Sequence, residues 1–277
     1  MRFETGKDVR VPVNGLQINT RVDIPENAAS GMPWMVFSNS LACATAMWDE
    51  QIRAFSSRFK TLRYDQRGHG KSEAPANCET TFEELAADLL ALLAQYEIEK
   101  AVLVGVSMGA TTVMRAAALS PSRVAAVVAC DGQWRTPEGT GPMWKERVQT
   151  VRDKGMKALA RPTVERWFLP GFITANPQLA ATIEAMVAAT PPEGYLACAH
   201  ALQTYDYRAD YPAIGVPVLY LVGANDGDMP KTMREMADAT PGSQYRVIDE
   251  CGHLPNLEQP AAFYAAVDGF VRERGIG

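Results

Sequence analysis

A chain of 277 residues, with 47% hydrophobic and 21% charged side chains, is long enough to bury a substantial core and has none of the bias of disordered, collagen-like or disulfide-dense proteins. A formal net charge of -5, with no Lys/Arg cluster, speaks against a nucleic-acid or anionic-membrane partner. Cys43, Cys78, Cys130, Cys198 and Cys251 are odd in number and never spaced as CxxC, so neither a disulfide framework nor a zinc site is indicated, and reduced thiols in a cytoplasmic protein are expected.

At the amino end, MRFETGKDVR lacks the apolar stretch of a signal peptide, and no run of about eighteen apolar residues follows, so neither export nor a membrane span is expected. VRVPV (9–13) and LQINTRVDI (16–24) flank Asn14-Gly15, the dipeptide best suited to a two-residue hairpin, and predict an antiparallel pair. WMVFSN (34–39) and LRYD (62–65) read as buried strands, with Trp48, Ile52 and Phe55 at helical spacing between them. Thr81 and Glu84 form a capping box ahead of FEELAADLLALLAQY, whose apolar positions cover one helix face. AVLVGV (101–106), VAAVVACD (124–131), PVLYLVG (217–223) and YRVIDE (245–250) are four more short apolar runs, with helical segments between or after them. Strands alternating with helices imply right-handed crossovers and an α/β fold, with a mostly parallel eight-stranded sheet covered by helices on both faces.

From about Trp134 to Tyr211 the alternation stops. Only helical patterns occur there, such as MWKERVQTVRDKGMKALA and PQLAATIEAMVAAT, punctuated by prolines. Roughly eighty residues between two strands are too many for an ordinary crossover. They predict a helical cap at 134–211, inserted after the sixth strand of a core domain made of 1–133 and 212–277. The cap should cover the carboxyl edge of the sheet, where open α/β folds bind ligands.

The most informative stretch is VLVGVSMGATT (102–112). A strand running into Gly105-Val106-Ser107-Met108-Gly109 and then into a helix matches the G-x-S-x-G elbow, in which a serine occupies a strained turn and its neighbours must be tiny. The helix after Ser107 aims free N–H groups at the site, favouring an oxyanion. A serine hydroxyl needs a base, usually a histidine oriented by a carboxylate. Of the three histidines, His69 lies in the turn YDQRGHGKS and suits a structural role; His200, in YLACAHALQ, suits cap packing or substrate contact. His253, in the loop ECGHLPNLEQP after the last strand, hangs where the base must. Asp226, just past strand 217–223, preserves the order serine, acid, histidine, with Asp228 and Asp131 as rival acids.

Ser107, Asp226, His253, the RYDQRGHGKS turn and a cap after the sixth strand together resemble the α/β-hydrolase superfamily over essentially the whole chain. SNSL (38–41) followed by MWD, with ERWFLPGF (165–172), PEGYLACAHAL (192–202) and GTGPMWKERV (139–148), is similar to the 3-oxoadipate enol-lactonases. That resemblance implies an oxyanion hole from the backbone N–H groups of Leu41 and Met108, with Ser40 as alternative to Leu41. It also implies serine hydrolysis of a small lactone or ester through an acyl-enzyme, with no metal or organic cofactor. CDGQWRTPEG after the sixth strand and GANDGDMP after the acid depart from that family's pattern and border the pocket, so the resemblance carries the chemistry further than the identity of the lactone.

A carboxylated lactone calls for a cation, for which Arg135 beside Trp134 is the candidate; Ser40, Trp144, Trp167, Phe168 and His200 complete the candidate pocket lining. The same triad serves carbon–carbon bond hydrolases of aromatic ring-cleavage products and general carboxylesterases or perhydrolases, and the fold also serves as a ligand receptor. The expected partner is a small molecule, and monomer and homo-oligomer both stay open.

Overall fold

Asn14 and Gly15 both take left-handed backbone, φ 47° and 84°. This tight turn joins β1 (Asp8–Val13) to β2 (Leu16–Asp23) in antiparallel register, with Val13 opposite Leu16. The computed structural model describes residues 4–26, 28–77 and 79–277, and Cys78 lies outside them. The remaining strands are β3 (Trp34–Ser38), β4 (Lys60–Tyr64), β5 (Ala101–Val106), β6 (Val124–Cys130), β7 (Val218–Gly223) and β8 (Gln244–Ile248). They form one eight-stranded sheet in the order β1-β2-β4-β3-β5-β6-β7-β8, antiparallel at β1/β2 and β2/β4 and parallel from β4 to β8. Every residue of β5 and β7 is buried, as befits parallel strands covered on both faces.

In chain order the helices begin with α1 (Asp49–Phe55), α2 (Phe82–Gln95) and α3 (Met108–Leu119). The capping box of α2 forms in both directions: Glu84 N–H donates to Thr81 Oγ1 at 3.2 Å, and Thr81 N–H to Glu84 Oε2 at 2.9 Å. Between β6 and β7 lie α4 (Gly141–Lys154), α5 (Lys157–Trp167), α6 (Pro170–Ala175), α7 (Pro177–Ala188) and α8 (Pro192–Ala201). An isolated antiparallel bridge between Arg135 and Asp206 ties the two ends of this helical insertion together. The continuous helical pattern read over 143–160 is divided, because Gly155 turns left-handed at φ 73° and closes α4. The chain ends with α9 (Met229–Ala239), α10 (Pro255–Glu258) and α11 (Pro260–Glu273).

The buried rings of Trp48, Phe37 and Phe263, with centroids 5.0 and 6.3 Å apart, carry the packing from β3 to α11; each contributes about 2–3 kcal/mol on burial. Cys43, Cys130, Cys198 and Cys251 are buried and unpaired, so among the described residues no disulfide contributes. No helix among them is long and apolar enough to cross a membrane.

Candidate active site

Two close approaches explain the glycines of the elbow. A Cβ on Gly105 would lie 2.1 Å from the carbonyl oxygen of Gly109, and one on Gly109 would lie 2.0 Å from that of Ser38. Strand β5, helix α3 and the end of β3 are thus in backbone contact around Ser107. Ser107 adopts φ 58°, ψ -118°, a strained conformation outside the region that side-chain-bearing residues prefer. Its N–H is held by the Cys130 carbonyl at 2.8 Å, which fixes the hydroxyl above the carboxyl edge of the sheet.

His253 reaches this hydroxyl from the β8–α10 loop. Its Nε2 lies 2.9 Å from Ser107 Oγ, and its Nδ1 lies 2.7 Å from Asp226 Oδ2 at the end of β7. Burial works to raise the Asp226 carboxyl, but the charge and hydrogen bond of His253, followed by the charge of Arg166, outweigh it and hold the group below its ordinary value. An ionised Asp226 accepts from Nδ1–H and leaves Nε2 free to take a proton from Ser107. Asp228, the first rival acid, is an exposed residue at the start of α9. Asp131, the second, is buried beside Asp226. The ligand atoms of Asp131, Asp226 and His253 lie within 4.8 Å of one another, a spacing a metal ion could use, but both ring nitrogens of His253 are already engaged.

The His253 loop is held from above as well as below. His253 N–H donates to the Trp167 carbonyl at the end of α5, at 2.7 Å, and the two rings stack at 22°. Glu258 is buried with one oxygen on Gly252 N–H at 2.7 Å and the other on Leu169 N–H at 2.9 Å, so a single carboxylate joins this loop to the insertion.

Ser107 and His253 open into a cavity of about 210 Å³ between the sheet edge and the insertion. Ser40, Leu41, Trp144 and Trp167 are among the residues that line it. Ser40 Oγ and Trp167 Nε1 are buried without hydrogen-bond partners among the described residues. Met108 is buried and follows Ser107 directly. Its N–H, at the first position of α3, has no intrahelical acceptor. The loop bearing Leu41 is fixed by Asn39, whose side chain accepts from Trp48 Nε1 at 2.8 Å and donates to the Tyr64 carbonyl at 3.0 Å.

Four of the candidate lining residues lie elsewhere. Arg135 pairs with exposed Glu138 at 2.9 Å and does not line the cavity, although Gln133 and Pro137 on either side of it do. The carbonyl of Trp134 accepts Tyr207 N–H at 2.7 Å, and its ring packs against the core rather than the cavity. His200 pairs through Nδ1 with the Thr80 carbonyl at 3.1 Å, tying α8 to the segment before α2. Phe168 stacks on Phe172 at 5.2 Å inside the insertion.

The cations at the cavity are Arg147 and Arg166, which the sequence reading missed. Arg147 is anchored by Tyr195 Oη and Thr163 Oγ1, both at 2.9 Å. Arg166 makes no hydrogen bond or ion pair among the described residues. It is exposed and lines the cavity, and crowding by the surrounding protein, then the neighbouring charge of Arg147, lowers its pKa. Two guanidinium groups close enough to repel each other, one unpaired, form a site suited to an anion. Arg147 lies three residues after Trp144 on α4, so the helical period itself places both on one face, a signal present in the sequence.

A model of the alpha/beta hydrolase fold matches residues 33–260. The chain is 34% identical over 268 residues to 3-oxoadipate enol-lactonase 1 of Acinetobacter baylyi, covering 96% of this chain and 94% of that one. It is 33% identical over 245 residues to 3-oxoadipate enol-lactonase 2 of the same organism, covering 87% and 89%. Among solved structures, the enol-lactonase from Burkholderia xenovorans LB400 matches with a TM-score of 0.90 at 35% identity, covering 95% of this chain and 100% of that chain.

Proposed function

The chain belongs to the alpha/beta hydrolase fold family, and from that premise we propose that it hydrolyses a small carboxylated lactone, of the enol-lactone class, through an acyl-enzyme on Ser107. The observation that carries the reading is His253 bridging Ser107 Oγ and Asp226 Oδ2, at 2.9 and 2.7 Å, on the floor of a cavity that holds an unpaired arginine. The similarity to enol-lactonases over nearly the full length supports the same substrate class.

His253 Nε2 takes the Ser107 proton as Oγ adds to the lactone carbonyl. The oxyanion that develops is held by the N–H groups of Leu41 and Met108. Collapse breaks the ring C–O bond and expels an enolate, to which His253 returns the proton; the enol then becomes a ketone, which makes ring opening effectively irreversible. Water repeats the sequence on the acyl-enzyme and frees Ser107. Arg166, with the charge of Arg147 beside it, binds the substrate carboxylate. The insertion, 134–211, serves as a cap that supplies this charge and excludes bulk water, whereas 1–133 and 212–277 form the catalytic core.

The test compares purified protein on a carboxylated enol-lactone, its methyl ester and p-nitrophenyl acetate, with mass-spectrometric mapping of fluorophosphonate labelling. Preference for the free acid together with label on Ser107 is the expected outcome. Equal rates on the acid and its ester would remove the carboxylate from the reading, and label elsewhere would remove the serine mechanism.

A further inference from the structure

Behind the imidazole lies a second acid that this mechanism leaves unused. Asp131 is 1% exposed, and an oxygen of its carboxyl lies within 4.8 Å of one on Asp226. It sits one residue past β6 at φ 46°, a left-handed position that Asp and Asn tolerate better than other side chains. Its N–H donates to the Leu221 carbonyl at 3.0 Å. Its Oδ1 accepts Gly223 N–H at 3.1 Å, and its Oδ2 accepts the Cys130 thiol at 3.0 Å. Both β6 and β7 therefore fix this carboxyl, and no cation pairs with it among the described residues.

Two carboxyl groups this close within a buried site do not both ionise readily. Their surroundings decide which one keeps the proton. Asp226 faces His253 and the charge of Arg166. Asp131 faces Asp226, the thiols of Cys130 and Cys251 and, further off, the Tyr245 phenol. The cationic side belongs to Asp226.

We propose that Asp131 is a positioning residue for the triad: it stands as a neutral carboxylic acid and donates a hydrogen bond to Asp226, fixing the carboxylate that orients His253. Burial first, and the charge of Asp226 second, push its pKa well above the ordinary carboxylate value, in keeping with this arrangement. The assignment rests on the Ser107–His253–Asp226 reading and adds a fourth member to it.

Asp131→Asn and Asp131→Ala test the proposal with p-nitrophenyl acetate as probe. Asparagine tolerates the same backbone and still donates, so kcat, KM and the acid limb of the pH profile should stay close to wild type. Alanine removes the donor. It should lower kcat about tenfold to a hundredfold with little change in KM, the range for losing a hydrogen bond to a charged group. The bare carboxylate then favours imidazolium more strongly, so the acid limb should move to higher pH, and the downfield Nδ1–H proton resonance of His253 should shift or broaden.

Two results would overturn the proposal. If Asp131 is ionised, Asp131→Asn removes a negative charge and moves the acid limb to lower pH. If it only secures the β6–β7 edge, Asp131→Ala lowers Tm and leaves the pH profile and the resonance where they were. Loss of turnover in Ser107→Ala alongside an inert Asp131 series would sink this assignment while sparing the triad.

Discussion

The elbow between β5 and α3 and the helical insertion above it meet in one cavity but are held by different means. At the elbow, backbone touches backbone: carbonyl oxygens of Gly109 and Ser38 fill the places where side chains at 105 and 109 would stand, and every residue of β5 is buried. On α4, by contrast, Val151 alone is fully buried, and its Arg147 is steadied by two hydroxyls. Steric exclusion leaves the backbone on either side of Ser107 little room for change. Polar side chains on lightly buried helices leave room for sequence change without loss of fold. The lower half is thus suited to constant chemistry, and the upper half to a choice of substrate.

The sharpest way to break this division is Ser107→Ala, a change at the elbow that should cost about a thousandfold or more in kcat while KM and Tm stay near wild type. Retained turnover would mean that the chemistry does not reside in the lower half. The next effect concerns stability and touches only the core. His69 is fully buried, and burial lowers its pKa to about 4, with its hydrogen bond to the Arg67 carbonyl opposing. Because the folded value lies below the unfolded one, the stability this neutral ring contributes is complete above about pH 6.5 and is lost as pH falls through about 4, by up to ~3 kcal/mol. Denaturant melts of wild type and His69→Gln at pH 7 and pH 4 should differ by that acid-dependent loss, present in wild type and missing in the variant. The smallest effect belongs to the insertion. Arg166→Met should raise KM about tenfold to a hundredfold for a carboxylated lactone and leave p-nitrophenyl acetate almost unaffected, since one charge-assisted contact is removed and the catalytic atoms are not. A fall in kcat on both substrates would erase the distinction between the halves.

The two regions also differ in how far the amino-acid sequence discloses them. All eight strands, the Asn14-Gly15 turn and the box at Thr81 and Glu84 were legible, because period, turn chemistry and capping act over a few neighbouring residues. Ser107, Asp226 and His253 could be placed at strand ends in the right order, and the structure brings them within hydrogen-bond distance. The insertion was legible as helices and little more. Arg135 looked suitable because it follows the sixth strand closely, but its side chain pairs with Glu138 and its backbone with Asp206, a partner far along the chain. Arg166 resembles any surface arginine until α5 is packed against the sheet edge. Its neighbour Trp167 was read correctly as lining the cavity, yet the charge beside it was passed over. Long-range packing, rather than residue type, decides such positions.

The hydrogen bond from His253 N–H to the Trp167 carbonyl has a dynamic consequence. It tethers the backbone of His253 to the last turn of an overhead helix. Any swing of α5 that widens the mouth for substrate or product must break that link or drag the imidazole out of line with Ser107. The position of this imidazole is therefore coupled to that of the helix above it.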